Sequence, residues 1–96
     1  MDKLELIKYG EEFLSIGQYS AISGALFENY NNSNLVVLDA FGVSVIAPSI
    51  MTKIIDGLFD NGVKKVILIN GSPKLTSTFN FAMFSVNKKR QVLVGV

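Results

Sequence analysis

The most apolar windows of the chain are two short runs, and longer stretches are apolar only at helical spacing. The runs are "LVVL" at 35–38 and "VILI" at 66–69. Short uninterrupted runs bounded by turns suit strands buried on both faces, as in a parallel sheet. Between them, Ile50, Met51, Ile54, Ile55, Leu58 and Phe59 form one broad helical stripe, with Lys53, Asp56 and Asp60 off it. Pro48 suits the first helical turn, where its missing N–H is not needed. Asn61-Gly62 is a left-handed stop. Residues 35–70 therefore read as strand–helix–strand, joined by a parallel crossover.

Upstream, Tyr19, Ile22, Leu26 and Tyr30 fall on another helical stripe, broadened by Ala21 and Ala25. Gly24 would let this helix sit close to a sheet. The segment "NYNNSN" ends it with turn chemistry. Before it, "LELIKYG" reads as a strand or half a hairpin, and "FLSI" as a second short strand.

Downstream, "GSPK" opens a third helix, with Ser72 as cap and Pro73 in the first turn. Its buried face would be Leu75, Phe79, Ala82, Met83 and Val86. The alternation of Phe79, Phe81 and Met83 leaves a strand open over 73–86. "NKKR" reads as a polar break and "QVLVGV" as a last strand. The sum is an α/β chain: a single two-layer domain over residues 1–96, with a four- to five-stranded mixed sheet and about three helices.

Composition changes the picture in two ways. Apolar residues make up 49% of only 96, with mean hydropathy +0.38. Small domains have much surface to cover, so either the core is unusually complete or apolar surface meets a partner or a second copy. No apolar run approaches the ~20 residues of a membrane span. The start "MDKLELIKYG" has no apolar signal-type core, so a cytoplasmic setting is expected.

The chain also lacks Cys, His and Trp. Thiol and imidazole catalysis, disulfides and the usual zinc sites are thereby excluded. No recognisable carboxylate pair remains to carry acid–base work. No catalytic residue, cofactor or metal is expected, and an enzyme is the least favoured class.

Net charge is +1 but unevenly spread. Residues 1–60 hold all eight acids and three Lys, for −5; residues 61–96 hold six basic residues and no acid, for +6. A basic half can meet nucleic acid or an acidic protein face. Mixing of the two halves within one domain is the plainer reading.

The segments "IKYGEEFLSIGQYSAISGAL", "LVVLDAFGVSVIAPSIMTKII" and "VKKVILIN" together resemble the STAS fold, and more closely a bacterial STAS-like family of unknown function. Related domains serve as anti-sigma factor antagonists, where a partner kinase phosphorylates a Ser in a "D-S-S-G" type motif at a helix start. Ala47, Pro48, Ser49 and Ile50 occupy that place, and Ser49 alone matches. The resemblance implies a regulatory protein-binding module, a kinase-like ATPase as partner, and Ser49 as a possible phosphorylation site.

Each candidate has a plainer alternative. Ser49 could satisfy a backbone donor at the helix start. Asp39, at a strand end, is expected to accept N–H bonds from the 41–44 loop. "NGSPK" with Lys74 could hold an anion, although a turn and a cap explain it. Lys88, Lys89 and Arg90 form a basic patch or a solvated turn. Phe81 and Phe84 fall off the third helix's buried stripe, as interface residues do.

The leading expectation is a non-enzymatic docking module, binding a protein or itself through Val43, Ser44, Ser49, Met51, Thr52, Lys53, Phe81 and Phe84. The alternative is a small nucleic-acid or nucleotide-binding domain using the basic C-terminal half.

Overall fold

The computed structural model describes residues 2–94. The order is β1 (Asp2–Glu5), a 3-10 turn (Leu6–Tyr9), β2 (Glu12–Phe13), α1 (Ile16–Asn29), β3 (Val36–Asp39), β4 (Val45–Ile46), α2 (Pro48–Asp60), β5 (Val66–Ile69) and α3 (Pro73–Val94). The domain is α/β, with three α-helices and five short strands among the described residues. The strands do not form the single mixed sheet expected from the sequence. They make a three-stranded sheet in the order β1-β3-β5 and a separate two-stranded sheet, β2-β4. Every pairing among the described residues is parallel.

The central β3 pairs Val36 with Asp2 on one side and with Val66 on the other. Leu4, Val36, Leu38 and Val66 share one core with Ile22 and Leu26 of α1, Ile54 and Leu58 of α2, and Leu75 and Phe79 of α3. Strand alternation turns Lys3, Val37, Asp39, Ile67 and Ile69 to the opposite face. All three helices therefore lie on one side of this sheet, with α2 between α1 and α3 and packed on both.

The strand–helix–strand over 35–70 forms as the apolar pattern requires. Gly62 ends α2 at a φ of 86°. Its N–H donates to Phe59 O at 3.0 Å, and the Val63 N–H donates to Leu58 O at 3.1 Å. Those two bonds satisfy carbonyls the helix end would otherwise leave open. A Cβ at Gly62 would run into the Asn32 side chain.

The close helix approach falls at Gly57 and not at Gly24. Gly24 is exposed with nothing near it, whereas a Cβ at Gly57 would stand 3.2 Å from Tyr19 Oη. The long stretch between Asp39 and Pro48 is no plain loop. It carries β4 across to β2, where the Ser44 N–H donates to Glu11 O and the Ala47 N–H to Phe13 O, each at 2.8 Å. The strand expected over "FLSI" shrinks to a ladder ending at Phe13, and Leu14 is already exposed. "LELIKYG" gives a strand only as far as Glu5 before tightening into the 3-10 turn.

The third helix is real over 73–86, which removes the strand alternative, and it continues to Val94. The expected polar break at "NKKR" and last strand over "QVLVGV" are thus corrected for 87–94; Gly95 and Val96 lie outside the described residues. The cause is tertiary. Arg90 packs its guanidinium 5.3 Å from the Phe59 ring and donates to Asp56 and Asp60 of α2, so the helical path through "NKKR" is held by charge.

Candidate docking surface

Asp39 closes the carboxyl end of β3 and is buried. Its Oδ1 accepts from Asn70 Nδ2 at 2.9 Å and from the Phe41 N–H at 3.0 Å. Its Oδ2 lies 3.1 Å from Lys3 Nζ. The Asn70 bond foremost, then the Phe41 N–H, hold this carboxyl below its ordinary range; burial opposes them, and Lys3 adds to the lowering. The loop bond is the one the sequence predicts. Both carboxylate oxygens are engaged, so the acid links the ends of β3 and β5 to Lys3 within β1. Among the described residues no cluster of three carboxylates could hold a metal ion.

Of the six loop and helix-start residues expected on the docking surface, two point inward and the others reach the surface. Val43 and Met51 are buried in the core, Met51 completely, so neither can meet a partner. Met51 belongs to the apolar stripe of α2, and its helical position outweighs its place near the loop. Ser44 is exposed but donates through Oγ to Glu11 O at 3.1 Å, which pins β4 to β2. Thr52 Oγ1 donates back to Pro48 O at 2.9 Å. Lys53 is exposed, with its Nζ 5.9 Å from the Tyr19 ring. Ser49 is exposed at the second position of α2. The N-cap is Ala47, and no side chain caps this helix, so the capping role expected of Ser49 is also corrected. The cap at Ser72 does form, its Oγ accepting from the Leu75 N–H at 3.1 Å. That bond and the Asn70–Asp39 contact account for the "NGSPK" segment.

The basic cluster is dispersed. Arg90 donates to Asp56 Oδ1 and Asp60 Oδ1, each at 2.8 Å, and to the Asp56 carbonyl at 3.0 Å. Lys89 stands 3.5 Å from Asp56 Oδ2. Two of the three charges are thus neutralised against α2. Lys88 projects into solvent.

The outward side of α3 behaves as its stripe predicts. Leu75, Phe79, Ala82 and Val86 are buried and Met83 is half-buried against them, while Phe81 and Phe84 are 67% and 65% exposed. Lys74, at the start of the same helix, lines an apolar cleft of about 280 Å³ with Leu14, Val45, Pro48 and Leu75. The exposed Leu14, Ile16 and Phe41 are surface features that sequence reasoning missed. Leu14 follows the buried Phe13 directly, and strand alternation alone would have turned it outward.

No helix of the described residues is long and apolar enough to cross a membrane. Comparison with protein-family models gives no match, and neither do comparisons with curated proteins and with solved structures.

Proposed function

We propose that this chain is a non-enzymatic, cytoplasmic protein-interaction module of STAS-like type, docking through the outward side of α3. The observation that carries the reading is the exposed pair Phe81 and Phe84, one turn apart on a helix whose opposite side is core. Large aromatic side chains clustered on a surface are typical anchors of protein interfaces. A regulated form, in which a kinase-like partner phosphorylates the exposed Ser49, belongs to the same proposal. A phosphate there would bring about two negative charges to a helix start.

The nucleic-acid alternative is weaker, because Lys89 and Arg90 face carboxylates of α2. Nucleic-acid binding would need those charges on phosphates.

The test is a pull-down from nuclease-treated native lysate with the intact chain and with a Phe81→Ser/Phe84→Ser double variant. A stoichiometric protein partner captured by the first and lost by the second supports the reading. Capture that ignores the double substitution, or that vanishes with nuclease, sinks it.

A further inference from the structure

We infer that the occupant of the α3 ridge is an acidic amphipathic helix, and not a second copy of this chain. The inference rests on the docking role proposed for Phe81 and Phe84 and names the partner's chemistry.

Spacing argues for a helix. Lys74, Ser77, Phe81, Phe84 and Lys88 succeed one another by three, four, three and four residues. That alternation keeps one stripe facing a second helix, because it repeats every 3.5 residues on average. The five positions span ~21 Å of helix at 1.5 Å per residue. The stripe lies opposite the buried Leu75, Phe79 and Val86. Its centre is aromatic and both its ends are cationic. Near Lys74 it runs into the cleft bordered by Leu14 and Val45, which offers an apolar side chain a place to anchor.

Charge argues for acids on the occupant. The 22 residues of α3 include no Asp or Glu. The neighbouring acids of α2, Asp56 and Asp60, are engaged by Lys89 and Arg90. Among the described residues neither Lys74 nor Lys88 has a carboxylate within ion-pair distance. A helix that covers the phenylalanines must pass both ammonium groups, and carboxylates at its ends would complement them.

The same charges oppose self-pairing along this stripe. In a parallel pair, Lys74 would face Lys74 and Lys88 would face Lys88. In an antiparallel pair centred between the phenylalanines, Lys88 would face Ser77 of the second copy, one turn from its Lys74. Like charges so placed destabilise a helix pair.

The test uses two labelled synthetic 18-residue peptides with Leu at the same three–four spacing, one with Glu at the flanking positions and one with Lys. Each is titrated with the full chain by fluorescence anisotropy, alongside sedimentation of the chain alone. The expected result is binding of the Glu peptide on the order of tenfold tighter than the Lys peptide, from two rim ion pairs. A Lys74→Glu/Lys88→Glu variant should reverse that preference, and Phe81→Ser/Phe84→Ser should abolish both. Equal affinities, or a preference that survives the charge reversal, overturn the acidic partner and leave the ridge standing. Peptide binding that ignores the Phe substitutions overturns the ridge itself. If neither peptide binds, the inference falls; a dimer then broken by the Phe substitutions would name the second copy as occupant.

Discussion

Asn70 and Asp39 meet across the end of the central sheet, the Asn70 Nδ2 donating to Asp39 Oδ1 at 2.9 Å. Asn70 sits just past β5 with a φ of 58°, a conformation that Asn tolerates better than most residues. Asp39 ends β3, and its other oxygen holds Lys3 of β1. One carboxylate thus ties three strands whose pairings are otherwise only four residues long.

This arrangement fixes a pH dependence. The folded Asp39 carboxyl is held below its ordinary value by the Asn70 and Phe41 bonds. Its stabilising contribution is therefore fully present above the unfolded carboxylate value of about 4 and is lost as pH falls through the lower folded value. Thermal midpoints of the wild-type chain and Asp39→Asn should differ most near neutrality and converge in strong acid. A gap independent of pH would show that the charge plays no part.

The α2–α3 clamp predicts a cost at Arg90. Arg90→Ala removes three hydrogen bonds and leaves Asp56 without its closest cation. The side chain is a third exposed, so a loss of about 1–2 kcal/mol is expected in urea denaturation. Arg90→Lys should recover part of it. An unchanged midpoint for Arg90→Ala would refute the clamp.

The exposed and buried phenylalanines of α3 should separate cleanly. Phe81→Ser and Phe84→Ser alter exposed side chains and should each move stability by less than about 0.5 kcal/mol. Phe79→Ala empties a buried site and should cost about 3–5 kcal/mol. Equal effects would mean that the outward ridge is covered.

Serines at two helix starts give a second contrast. Ser72→Ala deletes the bond to the Leu75 N–H and should cost about 1 kcal/mol. Ser49→Ala removes a hydroxyl from the uncapped start of α2 and should stay within about 0.5 kcal/mol. Guanidinium melts of the two variants decide the order.

The sequence makes residues 35–70 readable because each signal is local. Apolar runs mark β3 and β5, a clean stripe marks α2, and Gly62 supplies the left-handed stop. The outward Phe81 and Phe84 follow from the same helical arithmetic. What the sequence hides depends on distant contacts. The β2-β4 ladder is two residues long, too short to leave a pattern, and exists because Ser44 and Ala47 find Glu11 and Phe13. The extension of α3 past "NKKR" depends on Asp56 and Asp60, some thirty positions earlier. Met51 was legible twice, as stripe residue and as loop neighbour, and packing resolved it as core.

The exclusively parallel pairing also constrains how the chain reaches this state. Asp2 must find Val36, Glu12 must find Val45, and Val36 must find Val66, each thirty or more positions along. There is no hairpin among the described residues from which a sheet could zip. Ladder formation must wait on closing long loops, whose entropy is lost before any strand contact repays it. The helices, by contrast, can form locally and early. Folding should therefore be limited by assembly of β3 between its two neighbours, at a rate slower than three helices alone would suggest.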